Sequence, residues 1–238
     1  MRRGRCTGNF GRSSYETLFF LANSSRLWYF PRMKADSPRP DKVKILAVSD
    51  FTDKSLIKSV ETKTLEPVDL IISCGDLAPE YLSFLRERLE RPLFYVKGNH
   101  DIRYTPANPV GCENIHARIM QFKSLNIMGL EGSMWYNGGE NQYTEREMQK
   151  IIFKMWFPIW RKKGLDLVVT HAPPRHVRDG HDLCHMGFQC FLDLIHKRKP
   201  AWFIHGHIHK NFESARQRIS VISGTNVVNT CGFTILEV

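Results

Sequence analysis

The sequence predicts an α/β domain spanning about residues 41–238. Three observations predict it. Short apolar, β-branched runs alternate with helical stretches from Val43 onward. Several of those runs end in polar residues of the metal-ligand type. After Arg218 the pattern changes to short strands joined by tight turns. Strands that read as continuous apolar runs, separated by helices, belong to a sheet buried on both faces.

The elements come in this order. Strands are expected at Val43–Val48, Asp69–Ser73, Leu93–Val96, Asn126–Gly129, Leu167–Thr170 and Trp202–His205. Helices are expected at Asp53–Thr62, Pro79–Glu90, Thr144–Trp156 and Gly187–Lys197. Thr144 and Glu147 have the spacing of a capping box. The tail segments Ile219–Ile222, Asn226–Val228 and Phe233–Glu237 read as antiparallel strands closing a second sheet.

Residues 1–40 differ from the remainder of the chain. They carry eight Lys/Arg against two Asp/Glu, and are rich in Ser and Asn. That composition occurs in transit peptides. It equally fits a disordered basic extension, or a start upstream of a true initiator at Met33. The disordered extension is the reading adopted, since disorder concentrates at termini.

Composition removes several function classes. No run of 18 apolar residues occurs, so neither a membrane span nor a membrane partner is expected. Six cysteines without a C-x-x-C pair argue against a zinc finger or a disulfide framework, and for reduced thiols in the cytoplasm. The net charge of +10 is concentrated in residues 1–40, leaving +4 on the rest, so nucleic acid is not the expected partner. Self-association is left open.

The chemistry sits at the strand ends. Val43–Val48 runs into Ser49-Asp50-Phe51-Thr52, Asp69–Ser73 into Gly75-Asp76, and Leu93–Val96 into Gly98-Asn99-His100-Asp101. Leu167–Thr170 runs into His171, and Trp202–Ile204 into His205-Gly206-His207-Ile208-His209. Ligands of open α/β sheets bind beyond the carboxyl ends of the strands. His207 and His209, two apart in extended chain, point to one side. A lone Gly-Asp is usually a turn. Five such pieces in order are together a candidate metal centre.

These pieces resemble the calcineurin-like metallophosphoesterase superfamily, whose pattern is Asp-x-His, Gly-Asp, Gly-Asn-His-Asp/Glu, a lone His and Gly-His-x-His. The match covers about residues 43–212. The resemblance implies a four-layer αββα sandwich of two mixed β-sheets flanked by helices. It implies two divalent metal ions, Mn, Fe or Zn, and a phosphoester substrate, monoester or diester, hydrolysed by attack of a metal-bridged hydroxide. Asp50 and His209 would bind the first metal, Asp76 would bridge, and Asn99, His171 and His207 would bind the second. His100 would face the substrate as a catalytic residue. Asp101, assigned with it, would orient His100 or cap the following segment.

Thr52 departs from the pattern by standing where the family usually has His. A neutral hydroxyl is a poor ligand for these metals, so a weaker first site is expected. Asp53 could substitute, or could start a helix as its N-cap. The same departure keeps open a catalytically weak or inactive scaffold of this fold.

Three segments are less defined. Residues 129–144, Gly-rich with Trp135 and Tyr136, could overhang the site or simply connect two elements. Residues 171–185 offer Arg175, His181 and His185, with Arg178, as phosphate ligands, or form a solvated loop. Ile151–Trp160 reads as core packing, whereas an exposed aromatic patch there would indicate a partner or dimer contact.

Overall fold

The computed structural model describes residues 42–104, 107–210, 212 and 214–238. The expected N-terminal extension, 1–40, lies outside the described residues. What is described belongs to one compact unit, Arg39–Val238.

In chain order the elements are β1 (Lys44–Ser49), α1 (Lys54–Glu61), β2 (Leu70–Ser73), α2 (Pro79–Leu89), β3 (Leu93–Tyr95), β4 (Glu113–Asn114), β5 (Arg118–Phe122) and β6 (Leu125–Leu130). They continue as β7 (Ser133–Met134), β8 (Gln142–Tyr143), α3 (Glu145–Lys154), α4 (Trp156–Arg161), β9 (Leu167–Thr170), α5 (Gln189–Arg198) and β10 (Trp202–His205). The tail supplies β11 (Ile219–Ile222), β12 (Thr225–Asn229) and β13 (Gly232–Glu237). One sheet has the order β13-β1-β2-β3-β4, the other β11-β12-β10-β9-β6-β5.

Period-2 alternation builds the layers. Ile45, Ala47 and Ile72 of the first sheet meet Ile127, Leu167, Val169 and Ile204 of the second in the central core. Leu46, Val48 and Ile71 face α1 and α2 through Leu56, Leu82 and Leu85. Met128, Val168 and Phe203 face the other helices through Met148, Phe191 and Ile195. The arrangement is helix–sheet–sheet–helix, as the resemblance implies. Among the described residues, no helix is long and apolar enough to cross a membrane, and Cys74, Cys112, Cys184, Cys190 and Cys231 are all free thiols.

Several caps are local. Asp53 accepts from the Ser55 and Leu56 amides at 2.7 and 3.2 Å, so it is the N-cap of α1. Thr144 and Glu147 form the capping box of α3. The N-terminus of α5 has no cap of its own; the Glu145 carboxylate accepts from the Gln189 and Cys190 amides instead, at 3.0 and 2.7 Å.

Three expectations are corrected. The tail does not stay in one sheet. β12 runs parallel to β10, and β13 crosses to pair antiparallel with β1 from Lys44↔Glu237 to Ser49↔Gly232. The crossing occurs at 230–232, where Gly232 takes a left-handed φ of 78° that a side chain would strain. The helix expected over Thr144–Trp156 breaks at Met155, because Pro158 has no N–H for the Lys154 carbonyl and its ring would collide with it. The segment read as core, Ile151–Trp160, is core only in part: Met155 and Ile159 are buried, whereas Phe153, Trp156, Phe157 and Trp160 are exposed.

Candidate metal centre

Parallel strands place their carboxyl ends at one edge, and both sheets deliver ligand-type residues there. β1, β2 and β3 end in Asp50, Asp76 and Asn99; β9 and β10 end in His171 and His207. Within each sheet neighbouring ends are tied together: Asp50 N–H donates to the Gly75 carbonyl at 3.1 Å, and Gly206 N–H to the His171 carbonyl at 3.0 Å.

Asp76, His171 and His207 converge, with ligand atoms within 4.8 Å of one another. His171 Nε2 lies 3.3 Å from Asp76 Oδ2 and 3.1 Å from Asn99 Oδ1. His171 Nδ1 donates to the Cys74 carbonyl at 2.8 Å, and His207 Nε2 to the Cys184 carbonyl at 2.7 Å. Such anchoring leaves one nitrogen of each ring aimed into the site, as metal-ligating histidines require. Asn99 is fixed by its other end, where Nδ2 donates to the Tyr136 hydroxyl at 3.1 Å.

The close approach depends on glycine. A Cβ on Gly98 would stand 1.9 Å from Asp76 Oδ1, and one on Gly75 2.4 Å from the Gly98 nitrogen. Asp50, Asp76 and His207 themselves carry left-handed φ values of 71°, 58° and 68°. Each costs about 1–3 kcal/mol for a residue with a side chain, and such strain concentrates at functional sites.

Burial opposes protonation of His171, but the Asp76 carboxylate outweighs it and raises the imidazole to about 9. Burial also pushes Asp76 upward, yet His171 and the His100 amide hold it well below the usual carboxylate range. His207 is lowered to about 3 by burial and by the nearby His171. One carboxylate, one amide oxygen and two imidazoles suit a borderline divalent cation such as Mn, Fe or Zn better than Ca. The donor set therefore fits the metal that the resemblance implies.

Residues 41–211 match the family model for calcineurin-like phosphoesterases. This chain belongs to the calcineurin-like phosphoesterase family. Solved structures share its fold: one aligns with TM-score 0.60 and 16% identity over 83% of this chain and 95% of its own. The protein TT1561 of Thermus thermophilus aligns with TM-score 0.55 and 15% identity over 81% of this chain and 90% of its own. Among curated proteins, none matches the sequence.

The other residues named from the sequence are distributed around this candidate centre. Asp50 lies beside it: Oδ1 accepts from the His207 amide at 2.7 Å, and Oδ2 from the Ser49 hydroxyl at 2.7 Å. His209 stands apart, its side chain 64% exposed and Nε2 3.8 Å from Asp50 Oδ1. Thr52 is exposed. Asp53 is occupied as the α1 cap and is no substitute ligand.

His100 is exposed at the mouth, and its amide donates to Asp76 Oδ1 at 2.9 Å. Asp101 is buried, and its carboxylate accepts from the amides of Asp76 at 2.8 Å, Leu77 at 3.1 Å and Gly98 at 2.7 Å. Burial, aided by the Asp76 charge, pushes that carboxyl up to about 7 against the pull of its donors.

Of the 171–185 residues, His185 lies against His207 at a tilt, with ring centroids 5.3 Å apart, while its Nδ1 contacts Asp182 at 2.9 Å. Arg175 pairs with Asp179 at 3.3 Å, and Arg178 donates to the Gln217 and Ile219 carbonyls. Those guanidiniums are committed to the protein. His181 is exposed.

One partner has no sequence signal: the Cys184 carbonyl that holds His207 is backbone and leaves no residue signature. Of the two readings of residues 129–144, the contact of Tyr136 with Asn99 favours a loop over the site.

Proposed function

We propose that this chain hydrolyses a phosphomonoester or phosphodiester, using divalent cations held by Asp76, Asn99, His171 and His207, with a weaker position at Asp50 and His209. The observation that carries the reading is the convergence of Asp76, His171 and His207, each from a different strand end. Divalent cations there would supply Lewis acidity toward a phosphoryl oxygen and would make water nucleophilic near neutral pH.

The chain's own residues do the rest. Asp76 offers the negative charge that lets cations gather, with Oδ1 positioned by the His100 amide. Asn99 and His171 are held by Tyr136 and the Cys74 carbonyl, so their ligand atoms are oriented before substrate arrives. The exposed His100 imidazole can hold a proton and pass it to the leaving oxygen. Asp101 acts as a positioning residue, joining the Asp76 and Gly98 loops through their amides.

A catalytically weak scaffold is the second reading, favoured by the exposed His209 and by Thr52. Metal titration of chelator-treated protein is expected to show one tight and one distinctly weaker site. Manganese is expected to stimulate cleavage of p-nitrophenyl phosphate or its bis-ester, and chelator to abolish it. Metal binding without cleavage of either substrate would establish the scaffold instead. Two equally tight sites would contradict the weak position at Asp50 and His209.

A further inference from the structure

The broken helical run α3–α4 carries two apolar stripes at helical spacing. Met148, Ile152, Met155 and Ile159 form one, packed in the core beneath the second sheet. Phe153, Trp156, Phe157 and Trp160, at i, i+3, i+4 and i+7, form the other, and it faces solvent. Phe153 is 72% exposed, Phe157 52% and Trp160 57%. Phe157 and Trp160 stack with centroids 5.8 Å apart, and Trp156 meets Phe157 edge-on at 6.0 Å. Folding of the domain does not use this surface, and a contiguous aromatic patch indicates something that covers it.

Charge selects the occupant. From Lys150 to Lys163 the chain carries Lys150, Lys154, Arg161, Lys162 and Lys163, with no acid. A groove of about 340 Å³ between α3–α4 and α5 adds Lys197 and Arg198 at its lining. The acid in that groove, Asp193, accepts from the Gln189 amide group at 3.1 Å. A second copy would set these cations against their own images. The Arg-rich segment 1–40, itself strongly basic, is repelled in the same way. Single-stranded nucleic acid stacks its bases on free aromatic faces, and here Phe157 and Trp160 already occupy one face of each other.

We propose that the α3–α4 face docks on an anionic lipid surface, with Trp156, Phe157 and Trp160 in the headgroup–acyl boundary and the surrounding cations among the lipid phosphates. Aromatic rings beside Lys and Arg are the composition of interfacial helices. The contact is peripheral and needs no long apolar run. It adds to the sequence expectation of no membrane partner a surface that the absence of a span does not address.

The test is co-sedimentation of the full chain with vesicles. Binding is expected to phosphatidylcholine vesicles containing phosphatidylserine, weakening as salt rises, with little binding to phosphatidylcholine alone. The double variant F157S/W160A should bind at least about tenfold more weakly, while thermal midpoint and hydrolysis stay unchanged. K154E/R161E should lose more, since each cation near an anionic leaflet contributes about fivefold. Equal binding to neutral vesicles, or wild-type binding by both variants, overturns the proposal. So does a dimer in light scattering that F157S/W160A dissociates, or a Trp emission blue shift with polyglutamate as large as with vesicles.

Discussion

Asp76→Asn is expected to lower metal-dependent phosphoester cleavage by at least about 1000-fold, or roughly 4 kcal/mol of barrier. The substitution keeps the shape of the side chain and the contact from the His100 amide, so the protein stays folded. What it removes is the negative charge 3.3 Å from His171, at the point where the ligand set converges. No other described carboxylate joins His171 and His207 in that cluster. Without it, cation repulsion is uncompensated, and metal affinity should fall together with the rate. Steady-state kinetics with saturating manganese measures the effect, and titration separates weakened binding from slowed chemistry. Activity within tenfold of the parent would show that Asp76 does not hold the cations.

Asp101→Ala should be the most destabilising single change near the site. It orphans three buried amides, those of Asp76, Leu77 and Gly98. A buried donor without a partner costs about 1–3 kcal/mol, and the three together on the order of 3–5 kcal/mol. For a domain of this size that lowers the thermal midpoint by about 10 °C. Asp101→Asn separates position from charge. Its single oxygen can serve Asp76 and Gly98, which share Oδ2, but its amide group then confronts the Leu77 N–H. A drop about half as large is expected, with metal affinity down about 10–100-fold, as for other groups that position ligands. Calorimetry with metal titration reads both. An unchanged midpoint in the Ala variant would contradict the clamp.

The strand ends were legible because each parallel strand must stop at the sheet edge and expose the residues just beyond it. Asp50, Asp76, Asn99, His171 and His207 could therefore be placed from order alone. Pairings across distant sequence could not. Asp101 meets the Asp76 amide 25 residues away, and Asn99 meets Tyr136 across 37. The local pattern around Asp101 encodes no such partner, and the Gly-rich loop around Tyr136 points to the site without naming Asn99. β5 was missed because it is half exposed, with no continuous apolar run. β13 looked like a third antiparallel strand of the tail, and only pairing with β1 assigns it to the other sheet. Ile151–Trp160 was misread for a different reason. It holds two interleaved apolar stripes, and periodicity cannot say which one the sheet covers.

The most direct test of the metal centre is anomalous diffraction from crystals grown with manganese. A strong peak is predicted within coordinating distance of Asp76, Asn99, His171 and His207, with a weaker one toward Asp50 and His209. No peak at that position, or ordered metal only at the partly exposed Asp182, Cys184 and His185 group, would contradict it.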